Sequence, residues 1–182
     1  MMNEGKIPGT KRRELILNWL KETNVPMKGS EMAKKTNVSR QVIVQDISLL
    51  KAQNEPILAT SQGYIYMRQE NDALPAFKRI IASSHKPEAT AEELNIIVDY
   101  GVTVKDVIIE HSVYGELTAS IMVSNRKEVR DFIEKIEETK AAYLSQLTEG
   151  LHLHTLVTDR EEKLEEVCTA LKAAGFLVSE ED

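Results

Sequence analysis

The chain of 182 residues has one cysteine, Cys168, so no disulfide framework can form within it. Cys168 sits in the helical pattern EEKLEEVCTALKAAG and reads as a small buried residue rather than a nucleophile. No run of about 18 apolar residues occurs, which argues against a membrane-spanning helix. The opening MMNEGKIPGTKRREL lacks the apolar core of a secretory signal, and the expectation is a cytoplasmic protein. There is no GxGxxG, no P-loop, and no Ser-His-Asp or paired-carboxylate arrangement that the residues force on the reader.

What is present is ordinary globular composition, 42% hydrophobic and 29% charged, on a chain long enough for one large or two small domains. The net charge of −6 hides an asymmetry. Residues 1–70 carry 11 Lys and Arg against 7 Asp and Glu, whereas residues 71–182 carry 12 against 22. A basic module fused to an acidic one suits a nucleic-acid-binding domain with a partner domain.

In the basic part, Leu15, Ile16, Trp19 and Leu20 recur at helical spacing after Thr10. Ser30 is the expected N-cap of a second, short helix with Met32 and Ala33 inward, and Asn37-Val38 makes the turn. Ser39 is the expected cap of a third helix whose buried stripe is Val42, Ile43, Ile47 and Leu50. Ser39, Arg40, Gln41, Val44 and Gln45 then remain outside, where the second helix of a helix-turn-helix reads base edges and phosphates. Two β-rich runs split by Ser61-Gln62-Gly63 read as a wing hairpin. A protein-binding helical module with a small hairpin is the alternative.

Residues 71–75 read as a short polar linker ending in Pro75. Beyond it the pattern is βαββαβαβ: FKRIIASSH, TAEELNIIVDY stopped by Gly101, a hairpin of VTVKDVIIEH and ELTASIMVS, NRKEVRDFIEKIEE, a loop, LHLHTLV, the Cys168 helix, and a last strand FLVS. Asn125 and Asp159 are the expected caps. The predicted class is α+β: a winged helix-turn-helix over residues 1–70, then over residues 71–182 a two-layer sandwich with a mostly antiparallel sheet.

All four histidines fall in the second part. His152 and His154, two apart on a predicted strand, point to one face with Cα atoms about 7 Å apart, a span that two ligands of one metal bridge. Leu151 and Leu153 would pack on the other face. His85 ends the first strand of the domain and can converge on the same place. Glu93 either completes the ligand set or, as the fourth residue of Thr90-Ala91-Glu92-Glu93, closes a capping box on Thr90. His111, with Tyr114, sits at a hairpin turn and either lines the same pocket or orders the turn.

Several long segments together carry a more specific signal: NVSRQVIVQDISLLKAQN and SQGYIYM in the first module, GVTVKDVIIEHSVYGELTA, AAYLSQLTEGLHLHTL and the isolated His85 in the second. In these the chain resembles the niacin-responsive transcriptional repressors, which join a biotin-repressor-type helix-turn-helix to a three-histidine regulatory domain. The resemblance implies repression of NAD biosynthesis, salvage or niacin-uptake genes with nicotinic acid as co-repressor. It also implies one divalent ion per chain, nickel or zinc, on residues that map to His85, Glu93, His152 and His154. Ser112 departs from the proline that this family places after the histidine of the hairpin. Two-half-site recognition makes a homodimer on operator DNA the expectation. The competing readings are a metal-dependent enzyme of pyridine metabolism and a regulator for which the ion itself is the signal.

Overall fold

Helix α1 (Gly9–Glu22), α2 (Gly29–Thr36) and α3 (Arg40–Ala52) enclose a core in which Ile16, Leu20, Met32, Ile43, Ile47 and Leu50 are buried. These elements come from a computed structural model describing residues 7–67 and 77–178, and the chain divides into two units, residues 1–71 and 72–182. The linker expected at residues 71–75 lies outside the described residues. Asn37 takes the left-handed conformation (φ 52°) that ends α2, and Ser39 Oγ accepts from the Val42 amide to cap α3. Ser30 is not a cap. Lys28 occupies that position without a side-chain bond, because α2 begins two residues earlier, at a buried Gly29 whose bare backbone faces the Tyr64 ring.

The wing is the antiparallel pair β1 (Ile57–Thr60) and β2 (Gly63–Tyr66). It is fastened to the α1–α2 connection by two backbone bonds between Met27 and Tyr64, each 2.9 Å. A Cβ at Gly63 (φ +145°) would lie 2.4 Å from the Met27 carbonyl oxygen, so this close approach requires glycine.

One polar contact in this unit was invisible to periodicity. Asp46, on the inward stripe of α3, is buried and takes two bonds from the Arg12 guanidinium of α1, at 2.5 and 3.2 Å. Arg12 also donates to the Ile7 carbonyl. An Asp three residues after Ile43 and one before Ile47 was the available signal.

The second unit is a sheet in the order β3-β6-β4-β5, every pair antiparallel: β3 (Phe77–Ser84), β4 (Thr103–His111), β5 (Gly115–Val123) and β6 (Leu151–Thr158). Helices α4 (Thr90–Asp99), α5 (Arg126–Thr139) and α6 (Glu161–Ala173) supply the other layer, with Ile81, Val104 and Leu156 meeting Leu94, Ile97, Val129 and Leu171 in one core. Asn125 caps α5 by accepting from the Glu128 amide. Asp159 does not cap α6. Arg160 takes that position with extended backbone, and Asp159 pairs instead with Lys163 at 2.6 Å. The expected final strand shrinks to a bridge between Leu177 and Ser83, with two flanking backbone bonds to the free edge of β3. Cys168 is half-buried against the core, with Arg79 donating to its sulfur at 3.7 Å. Among the described residues no helix is long and apolar enough to cross a membrane.

Removing one partner of the buried pair leaves the other charge desolvated and unmatched, so Asp46→Ala should destabilise the first unit by about 3–5 kcal/mol. Urea unfolding followed by the fluorescence of Trp19, the only tryptophan, reads this unit directly. A loss below about 1 kcal/mol would place the pair among weak surface bridges.

Candidate functional site

Three short backbone segments bring four side chains to one point. His85 follows β3, Glu93 lies in the first turn of α4, and His152 and His154 share the inner face of β6. The Nε2 atoms of His85, His152 and His154 stand 2.7, 3.3 and 3.3 Å from a single oxygen, Glu93 Oε2. Ligand atoms of His85, Glu93 and His152 all lie within 4.8 Å of one another.

The opposite nitrogen of each ring is also committed. His85 Nδ1 lies 2.8 Å from the Lys86 carbonyl, His152 Nδ1 2.8 Å from that of Gly150, and His154 Nδ1 2.8 Å from that of Asp106. A carbonyl only accepts, so each Nδ1 carries a proton, and in the neutral form of a ring its Nε2 presents a lone pair toward Glu93. Three acceptors then crowd one carboxylate oxygen at 2.7–3.3 Å. Only positive charge between them relieves this. A proton on His85 pairs that one ring with Glu93, and protonating the other rings as well would place several imidazoliums side by side in a buried site, whereas one divalent ion would serve several of these lone pairs at once. Glu93 Oε1, buried and without a partner, adds a second carboxylate oxygen to the same donor set. The residues therefore fit a divalent ion with nitrogen and oxygen ligands.

Two irregularities make this geometry. Gly150 (φ +100°) opens β6 against His85, where an added Cβ would lie 2.3 Å from the His85 carbonyl oxygen. The pairing of β4 shifts between Val104 and Asp106, so the Asp106 carbonyl reaches the His154 ring while its carboxylate accepts from the Thr155 amide at 3.2 Å.

Burial alone would raise the Glu93 carboxyl, but its bonds to His152, His154 and His85 outweigh that and hold it well below the usual carboxylate range. Burial would likewise lower His85, yet the bond to Glu93, helped by the Lys86 carbonyl, keeps its imidazole above the ordinary value of 6.5. The capping-box alternative for Glu93 fails on local geometry. A 3-10 turn, Pro87–Ala89, precedes α4, so Ala89 is the cap residue and Thr90 is already helical. The expected packing of Leu151 and Leu153 also needs correction: the histidine side faces the helices, and Leu151 is 51% exposed on the outer face.

Beside the histidines lies a cavity of about 240 Å³ whose other walls include Leu94, Ile121, Phe132 and Tyr143. Burial, and to a lesser degree Glu137, raises the Tyr143 phenol.

The chain matches the 3H domain family over residues 78–180 and an HTH domain family over residues 12–65. It is 59% identical over 180 residues to the transcription repressor NadR of Bacillus subtilis (strain 168), covering 99% of this chain and 100% of that one. It is 38% identical over 169 residues to the probable transcription repressor NiaR of Thermotoga maritima, covering 93% and 94%. The chain belongs to the niacin-responsive repressor family. Its function is transcriptional repression rather than catalysis.

In this repressor, Arg40, Gln41 and Gln45 stand exposed along the first turns of α3 beside the capping Ser39, and Val44 is half-buried. His111 and Tyr114 are not brought to the histidine cluster and do not line the cavity. They sit at the β4–β5 hairpin, where His111 Nδ1 accepts from the Val113 and Tyr114 amides at 3.1 and 3.3 Å, and Tyr114 is 75% exposed. The turn-ordering alternative describes what His111 does.

Because the close approach of Gly150 holds His85 in place, Gly150→Ala should push that backbone away and break the bond to Glu93. In metal-free protein, imidazole proton shifts followed against pH should show His85 above 6.5 in the wild type and lowered in the variant, where the bond to Glu93 no longer offsets burial. An unchanged midpoint would show that the approach does not position the ring.

Proposed function

We propose that this repressor acts in the cytoplasm as a homodimer on genes of NAD biosynthesis, salvage or niacin uptake, with nicotinic acid as co-repressor and one nickel or zinc ion per chain. The observation that carries the reading is the convergence of three imidazole Nε2 atoms on one buried carboxylate, next to a cavity of small-ligand size. His85, Glu93, His152 and His154 would hold the ion, which supplies a Lewis-acid contact for an anionic or heteroaromatic ligand. Ser39, Arg40, Gln41, Val44 and Gln45 would face the major groove, the arginine and glutamines reading bases or adjacent phosphates. The cavity beside the ligand set favours a bound small molecule over an ion acting alone. A co-repressor works by binding the DNA-competent conformation better than the other, and operator DNA must tighten its binding by the same factor.

Operator binding measured with metal alone, nicotinate alone and both tests this directly. Tightening only with both supports the proposal, whereas full tightening with metal alone would make the ion the signal. Arg40→Ala should weaken operator binding by about tenfold while leaving nicotinate affinity within about twofold. Equal losses in both would contradict the division of labour between the units.

The metal competes with the proton on His85, so acid should weaken its binding. In metal-free protein the sign differs. The raised His85 contributes stability that is full below 6.5 and lost as pH climbs through its folded value, and the depressed Glu93 contributes stability present above 4.5 and lost in stronger acid. The stripped second unit should therefore gain most from this cluster between pH 4.5 and 6.5, and the metal-loaded one above that window. Thermal unfolding at several pH values, with and without zinc, checks both arms. Coincident profiles would argue against proton–metal competition at His85.

A further inference from the structure

Among the described residues, three buried side-chain atoms have no hydrogen-bond partner: Ser83 Oγ, Thr90 Oγ1 and Glu93 Oε1. All three surround the same site. Ser83 is the register partner of His152 on the adjoining strand, and Thr90 stands one helical turn before Glu93. Buried polar atoms are rarely left unpaired, so each asks for a ligand atom, an ion or a water. Glu93 is accounted for by the ion. Ser83 does not line the cavity, but Thr90 does, together with His85, His152 and His154.

Thr90 is only 8% exposed, and its hydroxyl is free for a structural reason. With the 3-10 turn in front of it, the residue is helical and cannot cap α4, so no amide of the first turn is bonded to its oxygen. The hydroxyl is thus a spare donor at the polar end of the cavity. The rest of the wall is mostly apolar, Leu94, Val107, Ile121, Phe132 and Ile136 among it, with Tyr143 and Ser145 as its other polar side chains. An ionised carboxylate placed among the apolar side chains would lose its hydration without compensation, while an aromatic ring loses nothing there.

We infer that the cavity takes a planar aromatic monocarboxylate acid-end first, with the Thr90 hydroxyl donating to a carboxylate oxygen and the ring lying against Ile121 and Phe132. This rests on the reading that nicotinate is the effector, and it assigns which end of the molecule is recognised and by which residue. Thr90 is then a specificity-determining residue for the acid group, and the ring nitrogen is secondary.

Calorimetric titration of zinc-loaded full-length protein with nicotinate, benzoate and 3-methylpyridine separates the two ends of the ligand. Benzoate keeps the acid and lacks the ring nitrogen; 3-methylpyridine does the reverse. Benzoate should bind and 3-methylpyridine should not. Thr90→Val keeps the volume and removes the donor, and should weaken nicotinate and benzoate alike by about tenfold or more, the effect of losing one hydrogen bond to a charged group. Thr90→Ser should restore both, and zinc content measured by mass spectrometry should equal that of the wild type in each variant. Binding of 3-methylpyridine without benzoate, undiminished nicotinate binding by Thr90→Val, or loss of zinc from that variant would each overturn the inference. If the valine variant does not fold, the three probes on the wild type still decide the orientation. Absence of nicotinate binding by the wild type would remove the effector reading itself, and this inference with it.

Discussion

A buried carboxylate opposed by three imidazoles is an expensive arrangement, and much of the second unit can be understood as what makes it tolerable. Glu93 comes from the first turn of a helix, where the peptide dipoles favour negative charge. The three rings come from a strand end and one strand face, and each is oriented by a backbone carbonyl rather than by another side chain. Backbone acceptors are rigid, so ring orientation is set by the fold and not by rotamer choice. The glycine at 150 and the shifted pairing at Asp106 follow from the same requirement, since regular strands would leave those carbonyls in the ladder.

The two units solve their polar burial differently. In the first, Arg12 and Asp46 neutralise each other inside the protein and need nothing from outside. In the second, the charges as placed do not balance, and unpaired atoms collect around one cavity. A closed pair suits a reading head whose helix must keep its orientation. An open cluster suits a sensor, because its stability depends on what it binds.

Much of this was legible from residues alone. Ile16 and Leu20, then Ile43, Ile47 and Leu50, announced their helices by spacing, and Ser39 and Asn125 announced two caps. The alternation of His152 and His154 placed both on one face, as strand geometry requires. What failed did so for identifiable reasons. Hydropathy packed Leu151 on the face opposite the histidines, but His152 and His154 alternate with it and share their face with the core residue Leu156, which leaves Leu151 outside. Ser30 and Asp159 have cap-forming side chains but lie where the backbone starts its helix elsewhere. His111 shares a residue type with the cluster, yet a hairpin carries it away, and only the strand pairing reveals that. Glu93 had two competing local readings, and the choice depended on a single 3-10 turn upstream.

The central claim is that His85, Glu93, His152 and His154 share one ion. X-ray absorption on zinc-loaded protein measures that shell directly. The account predicts three imidazole nitrogens and carboxylate oxygen at about 2.0–2.2 Å and no sulfur. A shell with fewer than three imidazoles, or with a sulfur at about 2.3 Å from Cys168, would contradict it.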